Sequence, residues 1–360
     1  MKLNKTVYNP FVRANDSASK VMTDVIIALI PSIIISSLAY SFYPIAVILV
    51  SVASALITEF LFSAVFCKNT NSVGDGSAIV TGILLTFTVG PFTPLYIVAF
   101  GGATAVLFGK LLWGGLGHNR FNPALVGREF MTIFFPVVMG ASFIWHDREI
   151  LNIQQINIFG NEFFNSLFYK VSGSIGEYSS FFLILGGIYL LLRRRISWHI
   201  PFGMLAGFTL FLFLFSGSNI QFSLGGLFLG AVYMATDMPT STSSPAAKLY
   251  FGIMVGVVCI ACLVGGVKNG YFSYAILIMN GFVNPLNWSL RPRVWGRGRE
   301  LFTRIWQMGL ITAAIIATTV IVIYLHHLDA IKYIIYTFIV YCIIRFIITQ
   351  VKENRSEEFD

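Results

Sequence analysis

Apolar residues run along this chain in blocks closed by short polar stretches, and most blocks are close to the roughly 20 residues a helix needs to cross a bilayer. The blocks fall at 24–42, 43–66, 77–89, 94–113 and 122–138, then at 178–192, 201–217, 224–235, 246–267 and 271–290, and finally at 305–325 and 331–351. Two are interrupted at matching places: the third block of the first five stops at Gly90-Pro91, and the third of the second five stops at Asp237-Met238-Pro239. The fifth block of each set carries an Asn-Pro step, Asn122-Pro123 in one and Asn284-Pro285 in the other. Paired Gly/Pro interruptions point to an inverted repeat with its site at the repeat interface, because irregular backbone at membrane depth is tolerated only inside protein or beside a cavity. The expected architecture is an all-α polytopic membrane protein of two inverted five-helix repeats with broken helices, plus two extra C-terminal transmembrane helices. Its parts are an N-terminal tail (1–21), the first repeat (22–139), an extracytoplasmic loop (140–177), the second repeat (178–292), and a basic loop with two helices and a tail (293–360).

Composition agrees, with 56% hydrophobic and only 11% charged residues against roughly 25% charged in soluble domains. Residues 1–19 are polar and hold Lys2, Lys5, Arg13 and Asp16, so no cleaved signal is expected. The net charge of +8 does not indicate nucleic acid, because Arg193-Arg194-Arg195 and the series from Arg291 through Arg293, Arg297 and Arg299 to Arg304 each follow an apolar block as positive-inside flanks do. With a cytoplasmic N-terminus and a change of side at every block, both clusters fall inside, as do Arg345 and Lys352. The acidic loop with Asp147, Glu149, Glu162 and Glu177 falls outside, and Lys268 runs against the pattern. Both termini are then cytoplasmic.

Ionisable residues within the blocks are functional candidates because they are costly there. Glu59 lies well inside the second block. Glu129 stands beside Arg128, and since neighbours on a helix do not face each other, Arg128 reads as a snorkelling or phosphate-facing cation. Asp75, in Asp75-Gly76-Ser77, has good helix-capping chemistry. Asp237, after Thr236 at the second break, is placed to meet an ion or a helix end. The stretch from Gly114, Gly115 and Gly117 through His118 to Asn122-Pro123 is too rich in Gly, Asn and Pro for a helix interior. Its glycines suit close backbone approach to a cofactor or to the opposing repeat. His118 is either a ligand or a hydrogen-bonded residue at a helix end, His199 an interfacial anchor, and His326-His327 a solvated pair. Cys259 and Cys262 share a helix face, but without a second pair they read as apolar packing rather than a metal site. Nothing resembles a nucleophilic triad, a phosphate loop or a zinc site.

Several stretches together resemble the D subunit of the Rnf electron-transport complex and the related B subunit of the sodium-pumping NADH:quinone reductase. They are Asp75-Gly76-Ser77-Ala78-Ile79-Val80-Thr81-Gly82, Lys110-Leu111-Leu112-Trp113-Gly114-Gly115-Leu116-Gly117 running into Phe121-Asn122-Pro123-Ala124, Gly173-Ser174-Ile175-Gly176-Glu177, Trp198-His199-Ile200-Pro201, Ala235-Thr236-Asp237-Met238-Pro239 and Arg291-Pro292-Arg293. The resemblance spans about residues 20–296. It implies a multi-pass subunit of the bacterial inner membrane, not catalytic alone, in a translocase that moves electrons through flavins and iron–sulfur centres and couples this to sodium or proton movement. It implies further membrane and peripheral subunits as partners, an ion path through Glu59 and Asp237, and a site for FMN or riboflavin, to which Gly114, Gly115, Gly117, Asn122 and Thr236 are assigned. The resemblance also implies a Thr in the outer loop that carries FMN covalently. Residues 133–208 contain no Thr, and Ser142, Ser172 and Ser174 lie in another context, so a covalent flavin is not expected. The two C-terminal blocks lie beyond the resemblance. A solute transporter or channel of the same architecture, and a membrane scaffold for redox partners, are the alternative readings.

Overall fold

The computed structural model describes residues 16–67, 71–145, 173–215, 222–267, 270–292 and 301–357. Most of the 140–177 loop, Lys268 and the basic residues Arg293, Arg297 and Arg299 lie outside the described residues. The first half comprises α1 (Ala18–Ala39), α2 (Tyr43–Phe62), α3 (Ser77–Thr86), α4 (Leu95–Gly109), α5 (Pro123–Phe134) and the short α6 (Pro136–Met139). The second comprises α7 (Ser180–Leu192), α8 (His199–Leu214), α9 (Leu224–Leu229), α10 (Pro245–Val264), α11 (Tyr271–Gly281) and α12 (Val283–Ser289), followed by α13 (Leu301–His327) and α14 (Ile331–Glu357). Among the described residues six helices are long and apolar enough to cross a membrane, and the chain is an all-α polytopic membrane protein.

Local chemistry starts and stops these helices. Ser17 caps α1 by accepting from the Lys20 N–H, and Ser41 and Phe42, both at positive φ, turn the chain into α2, where Pro44 sits in the first turn. The third helix of each half is short. At about 1.5 Å per residue the ten residues of α3 reach about 15 Å, half the hydrocarbon thickness. Its counterpart α9 has six residues and runs into a π-helical turn, Gly230–Met234. The second helix of each half packs along the fourth, α2 on α4 and α8 on α10. The short third helix and the packed second and fourth helices thus recur in α1–α5 and in α7–α11.

Lipid gives apolar side chains no reason to prefer protein, so helices in a bilayer associate through close packing of small residues. A Cβ on Gly203 would lie 2.6 Å from the Leu249 carbonyl oxygen, and one on Gly207, Gly252 or Gly256 would strike the carbonyl of Ile253, Ile200 or Met204. The α8–α10 pair therefore meets backbone to backbone over two Gly-x-x-x-Gly steps. In the first half a Cβ on Gly109 would come within 2.6 Å of Pro123 Cα, and one on Gly127 within 2.7 Å of the Gly101 carbonyl, which draws α4 onto α5.

Each break in a third helix releases backbone groups that need partners away from water. Beyond α3, Phe87 and Val89 accept from the N–H groups of Gly176 and Ile175, and Thr88 accepts from Arg128 Nε at 3.3 Å. Beyond α9, Met234 accepts from Asn122 Nδ2 at 3.2 Å and Thr240 from Asn280 Nδ2 at 2.8 Å. The two asparagines join directly, Asn122 N–H to Asn280 Oδ1 at 3.1 Å. Asn284-Pro285 corrects an expectation: it lies inside α12 after α11 has ended, so it does not mirror Asn122 at the start of α5. Gly270, at positive φ just before α11, holds that place, and a Cβ there would lie 2.7 Å from Arg128 Nη1.

The end of the bundle that carries the start of α1 is fastened by charge. Asp24, buried in α1, accepts from Arg195 Nε at 2.5 Å, Arg193 Nη2 at 3.3 Å and the Tyr189 hydroxyl at 3.0 Å. Arg195 also meets Asp16 at 3.0 Å, and holds its carboxyl below the usual carboxylate range. The start of α1 and the end of α7 thus share one end of the bundle, as an even number of crossings between them demands. At the other end His327 is exposed, as a solvated histidine is, whereas His326 is partly buried. His326 Nδ1 meets the Tyr274 hydroxyl at 3.1 Å and His327 Nε2 donates to the Gly265 carbonyl at 2.6 Å, which ties α13 to the second half.

Replacing Gly207 by Leu is expected to force α8 from α10 and to abolish accumulation of folded protein in membranes, read by size-exclusion of detergent extracts. Gly281→Ala, where a Cβ meets nothing within 4 Å, is expected to behave as the unchanged chain.

Candidate functional site

Three interrupted elements converge at the α1 end of the bundle: the start of α3, the start of α5 and the break after α9. They enclose a cavity of about 240 Å³. Its walls are mainly apolar, from Met22, Val80, Leu84, Leu190 and Val232, and Lys110, Asn119, Asn122, Arg195, Thr236 and Asp237 converge on it. Mostly apolar walls with a few placed polar groups are the usual make-up of a small-molecule site. Asn122 serves as N-cap of α5, its Oδ1 accepting from the N–H groups of Ala124 and Leu125, which is why Pro123 can follow at N1. Asp237 accepts from the Thr240 hydroxyl at 2.8 Å and from Asn119 Nδ2 at 3.5 Å. Asn119 is buried, and its Oδ1 has no hydrogen-bond partner among the described residues. A buried acceptor left open costs about 1–3 kcal/mol, so this wall of the cavity favours a ligand that brings a donor.

Of the two carboxylates singled out in the sequence, Asp237 lines this cavity and Glu59 does not. Glu59 is fully buried, and its Oε1 accepts from Lys110 Nζ at 2.7 Å. Lys110 also donates to Ser77 Oγ and lies 3.7 Å from Asp75, while Asp75 itself accepts from the Ser77 N–H at 2.7 Å, the capping role read from Asp75-Gly76-Ser77. Lys110 is the residue sequence reasoning passed over. It ends α4, 2% exposed, and joins the buried carboxylate to the cavity wall. Its position at the close of an apolar block reads as a snorkelling cation, and only the fold reveals that it turns inward.

The glycines of the Gly114 stretch behave differently from expectation as regards protein packing. Gly114, Gly115 and Gly117 have φ of 110°, 89° and 90°, a region that L side chains rarely adopt. A Cβ on Gly115 or Gly117 would meet no protein atom within 4 Å. They are needed to turn the chain from α4 towards α5, and close approach to other backbone falls to Gly109 and Gly127. Leu116 between them reaches the cavity, whereas His118 is exposed and outside its lining. Thr236 lines the cavity with its hydroxyl turned back to the Val232 carbonyl at 2.5 Å.

Arg128 and Glu129 also depart from the reading of neighbours that face apart. Arg128 Nη1 and Glu129 Oε1 are 3.3 Å apart, both residues buried. Their side chains are long enough to bend together in the crevice between α5 and α11, where no water competes. Glu129 accepts further from Ser273 at 2.6 Å, and Arg128 lies over the Phe272 ring. His199 opens α8, stacked on Trp198 and hydrogen-bonded to Ser197 at 2.8 Å, as an anchor does. Cys259 and Cys262 are buried in the core packing, and among the described residues no group of three or more His, Cys, Asp or Glu is placed to hold a metal.

A sequence model described as the NQR2, RnfD, RnfE family matches residues 5–296. The chain is 33% identical over 308 residues to the D subunit of the proton-translocating ferredoxin:NAD(+) oxidoreductase complex of Clostridium ljungdahlii, covering 77% of this chain and 91% of that one. It is 32% identical over 309 residues to the D subunit of the Na(+)-translocating ferredoxin:NAD(+) oxidoreductase complex of Acetobacterium woodii, covering 82% and 96%. To the D subunit of the ion-translocating oxidoreductase complex of Ectopseudomonas mendocina it is 28% identical over 330 residues, covering 81% and 95%. Helices α13 and α14 lie beyond the matched residues.

Lys110→Met would strand Glu59 without its cation, and removing one partner of a buried pair costs about 3–5 kcal/mol. Thermal unfolding in detergent is expected to show that loss, and Lys110→Met combined with Glu59→Leu to recover most of it. Recovery by the double change is the outcome specific to the pair.

Proposed function

The chain belongs to the NQR2, RnfD, RnfE family, and from that membership we propose that it is a membrane subunit of a redox-driven, ion-translocating oxidoreductase complex, with a flavin held non-covalently in the cavity between its halves. The relatives named above are subunits of such complexes, so this chain is a translocase subunit that is not catalytic alone. The observation that carries the flavin reading is the set of polar groups around the cavity, above all the open Asn119 acceptor.

The flavin in question is riboflavin or FMN. An isoalloxazine ring has one apolar edge and one edge of carbonyls, ring nitrogens and an imide N–H, and the cavity offers both kinds of wall. Asn119 Oδ1 is free to accept from such a ligand, Lys110 and Arg195 present cationic donors, and Thr236 and Asn122 border the same space. A bound flavin supplies one- and two-electron transfer. The chain's own residues hold it, exclude water with apolar walls and fix the charge beside it. Positive Lys110, balanced by Glu59, favours an electron-rich ligand edge on its side of the cavity.

The ion path runs through the same end of the bundle. Asp237, at the broken helix, takes up the sodium ion or proton, and the Glu59–Lys110 pair sets the charge that ion meets as it passes. Both termini and the cavity lie on the cytoplasmic face of a bacterial inner membrane, where the further membrane and peripheral subunits dock.

Protein purified with its complex is expected to release riboflavin or FMN on denaturation and to leave no fluorescent band on this chain in a denaturing gel. Asn119→Leu is expected to weaken flavin binding about tenfold, the equivalent of one buried hydrogen bond, read as flavin content at a fixed flavin concentration. A flavin-free chain that carries solute flux in vesicles would replace this reading with a transporter.

In the assembled complex, Asp237→Asn and Glu59→Gln are expected to reduce ion movement per electron transferred, measured in sealed vesicles. Unchanged coupling in both variants removes the two carboxylates from the path and leaves the flavin reading standing.

A further inference from the structure

Helices α13 and α14 form a hairpin whose arms hardly touch beyond the turn. α13 packs on α10, α11 and α12 of the second half, whereas α14 packs on α5 and on the turn Leu111–Trp113 of the first. The space between the arms is a slot floored by the seam of the two halves. It consists of adjoining cavities of about 200 and about 580 Å³ that share Phe121, Ile334 and Phe338. Its walls are aliphatic and aromatic almost throughout. The carboxylate that reaches it, Glu129, is already met by Arg128 and Ser273.

Trp113 and Tyr341 line one end of the slot, and beyond its lining, one turn further along α14, the Arg345 guanidinium carbon sits 4.2 Å from the centre of the Trp113 ring. Arg345 Nη1 is buried and has no hydrogen-bond partner among the described residues. A guanidinium carries five N–H donors and no acceptor, so the group that completes it is an acceptor, and an anion answers the charge. Arg120 and Arg291, both exposed, add positive charge at the same end of the bundle.

The slot's size selects among apolar occupants. A spanning helix about 11 Å across and about 30 Å long fills roughly 3,000 Å³, several times the two cavities together, so a partner's transmembrane helix does not fit within the slot, whereas an acyl chain does. The arms themselves are largely left uncovered by the rest of the chain. We propose that this slot is a binding site for one anionic phospholipid, with an acyl chain between α13 and α14 and the phosphate on Arg345. The lipid fills the seam that the two helices straddle, and couples them to both halves.

The full-length protein, exchanged in detergent against an equal mixture of phosphatidylglycerol and phosphatidylethanolamine, tests this by native mass spectrometry. The expected result is one retained phosphatidylglycerol in preference to phosphatidylethanolamine. Arg345→Gln is expected to lower phosphatidylglycerol retention about fivefold, the effect of one basic residue on an anionic lipid, and Arg345→Lys to keep most of it. Ile334→Trp, which fills the slot, is expected to displace both lipids. A photoreactive side chain at Ile334 in native membranes is expected to capture lipid. Equal retention of both lipids by the unchanged protein, unaltered retention in Arg345→Gln with a normal melting profile, or capture of a protein helix at Ile334 each overturns the proposal.

Discussion

A helix that stops halfway through a bilayer leaves carbonyls and N–H groups with no water to bond, and this chain is built around meeting that demand twice. After α9, the Met234 and Thr240 carbonyls are taken by the side chains of Asn122 and Asn280, and the Asn122 backbone N–H donates to Asn280 Oδ1. After α3, the backbone is taken by residues 175 and 176 and by Arg128. Each unpaired group would cost several kcal/mol in hydrocarbon. The bonds of Asn122 to Met234 and to Asn280 cross between the halves, which therefore cannot separate without exposing the break after α9.

The candidate site is a consequence of that interface. Because α3 and α9 stop short, the volume they leave is bordered by the start of α5 and the end of α4 instead of by helix walls. The same shortfall brings polar residues to membrane depth without stranding them. Lys110 reaches Glu59, Asp237 reaches Thr240 and Asn119, and Arg128 reaches both Glu129 and the Thr88 carbonyl. Among the described residues two of these groups keep an open acceptor, Asn119 Oδ1 and Glu59 Oε2, and of the two only Asn119 lines the cavity, where it marks a place for a ligand.

Close packing explains how so few polar contacts hold the helices. Gly203, Gly207, Gly252 and Gly256 bring the α8 and α10 backbones together, and Gly109 and Gly127 set α5 against α4. Those glycines serve contact, whereas Gly114, Gly115 and Gly117 serve backbone conformation. Composition cannot tell the two uses apart, since both read as glycine beside apolar residues. Contact needs a neighbour that is distant in sequence, and conformation needs only the local turn.

The sequence by itself determined what depends on period, length and the cost of burying charge: an all-α membrane chain, the short third helices marked by Gly90-Pro91 and Asp237-Met238-Pro239, the start of α3 at Asp75-Gly76-Ser77, and the family to which the Gly114–Asn122 stretch points. It also placed Asp237 and Thr236 beside a break. The tertiary structure alone decided which partners those residues meet. Lys110 turning inward to Glu59, Arg128 and Glu129 bending together, His326 and His327 fastening α13, and Gly270 rather than Asn284 opening the fifth helix of the second half all depend on contacts between segments far apart in the chain. A hydropathy pattern records how often a residue faces protein. It holds no information on which helix is on the other side.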